Sequence, residues 1–329
     1  MSRIHVLSDN ITNKIAAGEV VQRPASALKE IVENSIDAGA EHIEIRVEDG
    51  GRKLMQVIDD GQGMSEEDLQ LAFQRHATSK IETEQDLDAI ETLGFRGEAL
   101  ASIAAVARLD AKSRNEDSDL GYEIQIAGGS VEKFEPVGMN PGTQIAVKEI
   151  FYNTPARRKF LKGKTTEFRH ISETVKRFAL GYPDIHIELH HNDRETFLLP
   201  PSSLQERIGS IFSPTYVDNM IEIDELYQGL GVYGFVGNLD LVRRSRGEQY
   251  FYLNNRYISD NLLNTAVYKG FGSLIQRGEY PFFVLNLELE PSEFDVNVHP
   301  AKMEVKFKDQ WHIFNYLRSL VERTLKDVL

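Results

Sequence analysis

Between Gly18 and Gly39 the chain reads GEVVQRPASALKEIVENSIDAG, and no other stretch restricts the possible folds as strongly. At about 100° per residue, Leu28, Ile31, Val32, Ser35 and Ile36 share one face of a helix, while Glu30, Asn34 and Asp37 share the other. Pro24 suits a first helical turn and Gly39 a left-handed stop, which brackets this helix at about Pro24 to Ala38. A helix with one apolar stripe needs a second layer to cover it. The opposite row is either an ordinary solvated face or a catalytic one, with a carboxylate base one turn from an amide oxygen able to hold a metal.

The second layer follows at once. HIEIRVED from His42 and KLMQVIDD from Lys53 alternate in polarity around Gly50-Gly51, which predicts a β-hairpin. The second run ends in Asp59-Asp60-Gly61-Gln62-Gly63, a carboxylate with two glycines that permit close approach to something flat or charged; a plain turn has the same pattern. Ser65 before Glu66, Glu67 and Asp68 is an N-cap with an acidic first turn, predicting a helix to about Arg75. From His76 to Leu93 the periodicity stops, as in a long lid-like connection. In LGFRGEALASIAAVA, Gly94 and Gly97 frame Phe95 and Arg96 ahead of a helix, an arrangement that offers backbone N–H groups to a phosphate or simply enters a helix through a glycine loop. It is neither a Walker A loop nor a dinucleotide GxGxxG pattern.

RLDAKSR, YEIQIAGG, VEKFEPVG and TQIAVKEI read as further strands, so the expected fold is α+β: a mostly antiparallel sheet with helices on one face. A helix to about Gly181 and a strand pair near Ile185 to Leu199 complete it, and Pro200-Pro201-Ser202-Ser203 marks a boundary. The expected domains are therefore 1–202 and 203–329. In the second, SLQERIGSIF reads as helix and GLGVYGFVGNL, EQYFYLNNRYI and YPFFVLNLEL as strands. A helix at about Asp260 to Ile275 separates the last two strands, making a smaller α/β unit. Lys302 follows His299-Pro300-Ala301 on a turn between alternating runs, and a terminal helix from Asp309 carries Phe314, Leu317, Leu320, Val321 and Leu325 as its stripe.

Composition narrows the chemistry. With no cysteine, the chain has no disulfide, thiolate nucleophile, Cys-ligated zinc or iron-sulfur cluster, so any metal is held by oxygen or nitrogen. A net charge of -14 argues against wholesale coating of nucleic acid, although Arg157, Arg158, Lys159, Lys162, Lys164 and Arg169 form a basic island among aromatics. That island is either a phosphate-backbone contact or a solvated loop. No run approaches the roughly 18 apolar residues of a membrane span, and MSRIHVLSDN lacks a signal-peptide pattern, so the expected location is inside the cell.

The order of these pieces resembles the GHKL ATPases, the group of gyrase B, heat-shock chaperone ATPases, histidine kinases and MutL. Glu30, Asn34, Asp37 and Ala38 match the family's Glu, Asn and Asp-Ala pattern, and Asp59-Asp60-Gly61-Gln62-Gly63 its adenine motif. Gly94-Phe95-Arg96-Gly97-Glu98-Ala99 resembles the phosphate-lid motif, and Gly142-Thr143 the late Gly-Thr. Within the group, IAAGEVVQRPASALKEIVENSIDAGA, RHATSKI, LGFRGEALASI, FYNTPARRKFLK and DVNVHPAK are similar to MutL signatures, in MutL order and over nearly the whole chain.

The resemblance implies a GHKL (Bergerat-type) sandwich followed by a transducer-like, ribosomal-protein-like α/β domain, with slow Mg²⁺-dependent ATP hydrolysis as the activity. Glu30 would be the general base, Asn34 the Mg²⁺ ligand, and Asp59 the acceptor for the adenine amino group. Asp37, Gly61, Gly63 and Thr143 would line the nucleotide, and Thr78, Ser79, Lys80, Gly94, Phe95, Arg96 and Gly97 would enclose its phosphates. Lys302 would reach the γ-phosphate from the second domain. Geometry alone does not choose between Glu30 and Glu33 as base; the motif spacing selects Glu30.

Implied partners are DNA bound without sequence preference, the mismatch sensor MutS, a downstream endonuclease and helicase, and a second copy of the chain on ATP binding, in a bacterial cytoplasm or nucleoid. Arg243, Arg244 and Arg246 join the basic island as candidate DNA-facing charges. MutL proteins continue into a carboxy-terminal dimerisation domain, so the chain is expected to be a fragment. The competing readings are a type II topoisomerase ATPase subunit, which leaves FYNTPARRKFLK unaccounted for, and a catalytically silent binding module, which has no need of Glu30, Asn34, Asp59 and Lys302 together.

Overall fold

The helix bracketed in the sequence forms as α1, Pro24–Asp37, ended by a left-handed Gly39 at φ 72°. Residues 17–18, 20–80, 92–94, 97–295 and 305–328 are described by the structure, a computed structural model. The chain divides into two compact units, Met1–Lys176 with Asp184–Pro201, and Arg177–Pro183 with Ser202–Leu329.

In the first unit α1 is followed by β1 (His42–Glu48), β2 (Leu54–Asp59), α2 (Glu66–Leu71), α3 (Ala99–Val106) and β3 (Arg108–Arg114). Then come β4 (Gly121–Ala127), β5 (Ser130–Val137), β6 (Gly142–Lys148), α4 (Pro155–Phe160), α5 (Lys164–Gly181), β7 (His186–His191) and β8 (Arg194–Leu199). The strands make one 8-stranded sheet in the order β5-β4-β3-β6-β2-β1-β7-β8. Its neighbours are antiparallel except β1 and β7, which run parallel because α5 intervenes in the crossover.

α1 packs on β2 and α3. Its stripe buries Ala27, Leu28, Ile31, Val32 and Ser35, and Ile36 only partly. Each fully buried leucine or isoleucine contributes about 1.5–3 kcal/mol, so the stripe fixes which residues face away from the sheet. The hairpin turn bends through left-handed Gly50 and Gly51, where a Cβ on Gly51 would lie 2.8 Å from Pro24 Cβ and Ile171 Cδ1. α2 is shorter than its sequence suggests, ending at Leu71 instead of near Arg75: only Leu69 is buried, so no apolar stripe holds a further turn.

The second unit contains α6 (Leu204–Ile211), α7 (Pro214–Asp218), β9 (Met220–Tyr227), β10 (Leu230–Gly237), β11 (Gln249–Leu253) and β12 (Arg256–Ile258). α8 (Asn261–Phe271), β13 (Phe283–Glu288), β14 (Phe294–Asp295), β15 (Lys306–Phe307) and α9 (Gln310–Val328) complete it. Its 5-stranded sheet has the order β12-β11-β13-β10-β9. Leu263, Val267 and Phe271 of α8 and Leu317 and Val321 of α9 pack with Val232, Leu285 and Leu287 in one core. A separate core joins Ile208 of α6 to Leu180, Tyr250, Tyr252 and Phe282.

A linear division between residues 202 and 203 differs from this partition by Arg177–Pro183 and Ser202. The reason is local: Tyr252 Oη donates to Arg177 O at 2.7 Å, Leu180 enters the second core, and the buried Arg207 donates to Pro183 O at 2.6 Å. β9 has no clear sequence signal, since only Ile223 of its residues is buried.

Candidate active site

Two clusters sit at the C-terminal turn of α1, each built on a carboxylate. The first centres on Asp59, the last residue of β2, which is 9% exposed. Ser35, on the apolar stripe of α1, donates through Oγ to Asp59 Oδ2 at 2.7 Å, and Gly61 N–H donates to Oδ1 at 3.1 Å. Asp59 pairs across the ladder with Thr143 on β6, whose Oγ1 lies 2.8 Å from Ser113 Oγ. Burial pushes the Asp59 carboxyl above its ordinary range, while the hydrogen bonds from Ser35, Gly61 and the Thr143 backbone work in the other direction.

Glycines keep this end open. A Cβ on Gly61 would lie 2.9 Å from Ala38 Cβ, and one on Gly63, at φ 67°, would run into Arg114 O. Gly142, at φ 123°, presses its backbone against that of Asp59. Ser113 also receives Met64 N–H at 2.8 Å, so one buried hydroxyl ties the β2–α2 loop to β3.

The second cluster centres on Asp37. Lys80 Nζ donates to Asp37 Oδ2 at 2.5 Å and to Asn34 Oδ1 at 2.8 Å. The backbone N–H groups of Leu93 and Gly94 donate to Asp37 at 2.9 and 3.0 Å. A Cβ on Gly94 would lie 3.1 Å from Lys80 Nζ, so a side chain there would make the ammonium give by a few tenths of an ångström. Thr78 Oγ1 accepts from Lys80 N at 3.2 Å, Ser79 is exposed, and Gly97, at φ 60°, accepts from His76 N–H at 3.1 Å. Asn34 and Asp37 thus already enclose a cation with hard oxygens, the donor chemistry that suits Mg²⁺.

Glu30 lies one turn before Asn34, its side chain 20% exposed. Lys29 links it at 3.1 Å to the buried Glu33, which lies 2.8 Å from the same ammonium. Burial alone would lower the Lys29 pKa, but the charges of Glu30 and Glu33 outweigh it and raise the value, keeping the lysine protonated. Sequence reasoning missed Lys29, and also missed Ser35 and Ser113 as partners in the Asp59 cluster. The only hint was a serine on an otherwise apolar stripe.

The structure therefore gathers Asn34, Asp37, Lys80 and Gly94 at one point and Asp59, Gly61 and Thr143 at another, with Glu30 on the same helix. Phe95, Arg96 and Lys302 lie outside the described residues. In the basic island, Arg157 packs against the backbone of Gly18, and Lys164 pairs with Asp49. Arg158, Lys159, Lys162 and Arg169 are exposed, as is Phe160 at 83%. In the second unit Arg243 donates to Tyr216 Oη at 3.3 Å, Arg246 stacks on Tyr280, and Arg244 is exposed. Among the described residues no helix is long and apolar enough to cross a membrane.

Known proteins resemble this chain along nearly its whole length. Residues 22–149 match the family model described as histidine kinase-, DNA gyrase B- and HSP90-like ATPase, and residues 208–326 the one described as DNA mismatch repair protein, C-terminal domain. The DNA mismatch repair protein MutL of Parabacteroides distasonis is 45% identical over 322 residues, 98% of this chain and 52% of its own length. The chain thus spans about half the length of the curated relatives it matches.

Among solved structures, the Aquifex aeolicus MutL ATPase domain complexed with ADP superposes with a TM-score of 0.61 at 29% identity, covering 83% of this chain and 94% of that one. The N-terminal domain of a DNA repair protein shares the fold, with a TM-score of 0.81 at 24% identity over 96% of this chain and 98% of that one. These relatives favour the mismatch-repair reading over the topoisomerase one. The fold, the two clusters on α1 and the relatives place the chain in one group: it belongs to the MutL family of DNA mismatch repair proteins.

Proposed function

We propose that this chain binds and slowly hydrolyses ATP, and that the bound nucleotide switches it between states that engage different partners in mismatch repair. The observation that carries the proposal is that one helix, α1, holds both ends of the site, through Ser35 to Asp59 and through Asn34 and Asp37 to Lys80.

At the buried end, Asp59 accepts a hydrogen from the adenine amino group. Guanine presents a carbonyl at that position and would set acceptor against acceptor, so the same carboxylate selects the base. Gly61 and Gly63 leave room for the ring plane, and Thr143 flanks it. At the other end Asn34 Oδ1 is the residue oxygen offered to Mg²⁺, which when bound offsets phosphate charge. With Asn34 given to the ion, the Lys80 ammonium would keep Asp37 and offer its freed donor to a phosphate. Thr78, Ser79, Gly94 and Gly97 stand beside it for the same anion.

Glu30 orients the attacking water and takes its proton, a task that needs a carboxylate within hydrogen-bond reach. Lys29 keeps Glu30 aligned. Arg96, Phe95 and Lys302 enter through the resemblance of their motifs, Lys302 as a cation that reports the γ-phosphate to the 203–329 domain.

The same reading makes ATP binding drive pairing of two copies, with DNA, MutS, an endonuclease and a helicase as partners and the nucleoid as the place of action. Exposed Arg158, Lys159, Lys162, Arg169 and Arg244 supply the charge for sequence-independent DNA binding. Gel filtration tests the switch. A non-hydrolysable ATP analogue with Mg²⁺ is expected to shift the chain from monomer to dimer, and ADP to leave it a monomer. A monomer in both states would refute it.

A further inference from the structure

A third cluster lies on the other face of the large sheet. Along β1, Ile43, Ile45 and Val47 are buried, and along β7, Ile187 and Leu189 are buried, so the alternate residues His42, Glu44 and Arg46, and His186, Glu188 and His190, share the opposite face. The parallel register sets His42 beside His186, Glu44 beside Glu188 and Arg46 beside His190. The imidazoles of His42 and His186 meet with centroids 4.4 Å apart. Both aim at one oxygen: His42 Nε2 lies 3.3 Å and His186 Nε2 3.1 Å from Glu188 Oε1.

His190 Nε2 lies 3.1 Å from the other oxygen, Glu188 Oε2. That hydrogen bond is the chief reason the Glu188 carboxyl stays below its ordinary range despite partial burial, so the acid is ionised at neutral pH. Glu44 is engaged by Arg46 Nε at 2.6 Å. Asp60 Oδ1 accepts the His42 backbone N–H at 2.8 Å, which fixes the start of β1.

We propose that His42, His186 and Glu188 form a binding site for a divalent transition-metal ion of the zinc class, with His190 positioning the carboxylate. One ligand atom from each of the three lies within 4.8 Å of the others. Tetrahedral zinc with bonds near 2.0–2.2 Å needs ligand atoms about 3.3–3.5 Å apart, so the His42–Glu188 separation already fits, His186 Nε2 at 3.1 Å has to draw back slightly, and the imidazoles have to turn their nitrogens toward a common centre. Two imidazoles and a carboxylate select zinc, nickel or copper over Mg²⁺, which prefers oxygen alone. The bound ion ties β1 to β7, strands far apart in sequence that pair in parallel register. A clip that closes so long a loop stabilises the fold. None of these side chains belongs to the nucleotide site.

The test uses tag-free full chain in Mg²⁺-free buffer, titrated calorimetrically with Zn²⁺ and followed by visible absorption with Co²⁺. The expected result is one Zn²⁺ per chain, a rise in melting temperature, and the intense visible bands of low-coordinate Co²⁺ displaced by Zn²⁺. His42→Ala, His186→Ala and Glu188→Gln should each weaken binding at least tenfold, and His190→Ala by about tenfold, as for residues that orient a ligand. The exposed His312 serves as control, and His312→Ala should bind as the parent does. Absence of the Co²⁺ bands in the unsubstituted chain would overturn the proposal even if a variant failed to fold. So would undiminished Zn²⁺ binding in folded His42→Ala/His186→Ala.

Discussion

The carboxylates at the two ends of the site, Asp59 and Asp37, are held by opposite means. Asp59 is buried among neutral donors, the Ser35 hydroxyl and the Gly61 and Thr143 backbone, with no cation against it among the described residues. Asp37 instead receives an ammonium from Lys80 as well as the Leu93 and Gly94 N–H groups. A carboxylate kept in a neutral cage suits a neutral group such as an adenine amine, because no counter-ion has to leave first. One already neutralised by a lysine exchanges cations when a charged ligand arrives. On the proposed reading, the contrast separates base recognition from phosphate and metal recognition around a single helix.

The largest effect that bears on this contrast should come from the neutral end. Asp59→Ala removes a hydrogen bond to a charged acceptor, worth about 1.5–3 kcal/mol, so calorimetry should show ATP, ADP and adenosine all losing roughly 10- to 150-fold in affinity. A loss confined to ATP would mean that Asp59 does not read the base. At the cationic end, Asn34→Ala should weaken Mg²⁺-ATP about tenfold and leave adenosine unchanged, the complement of the first result. Equal losses for adenosine and Mg²⁺-ATP would merge the two ends.

A smaller effect is one of sign. Burial raises the folded Asp59 carboxyl above its ordinary value near 3.8, so its ionised form costs stability at neutral pH. That cost fades as pH falls through the folded value toward the unfolded one. Asp59→Asn should therefore melt higher than the parent at pH 7 in the nucleotide-free form, with the difference shrinking as the pH is lowered into the carboxylate range. A difference that grows on acidification would contradict the assigned cause.

Much of this was legible in the sequence, for a physical reason. Helical periodicity alone places Glu30, Asn34 and Asp37 on one face, and a strand ending in Asp59 before Gly61 and Gly63 is a local pattern. The partners were not legible. Ser35 meets Asp59 because α1 packs on β2, and Ser113 meets Thr143 because β3 lies beside β6; both are global properties of the fold. The parallel β1–β7 pair that brings His42 to Glu188 is likewise invisible until α5 has crossed the sheet. Lys80 reads as a phosphate ligand by resemblance, yet its ammonium rests on Asn34 and Asp37, a contact set by tertiary packing.

The central claim is that α1 carries the catalytic base on the same surface as the nucleotide contacts, and Glu30→Ala tests it most directly. ATP binding by calorimetry should stay within about threefold of the parent, while steady-state hydrolysis falls by roughly 100-fold or more, the contribution of a positioned general base. Turnover equal to that of the parent, with binding intact, would remove Glu30 from the reaction and the account with it.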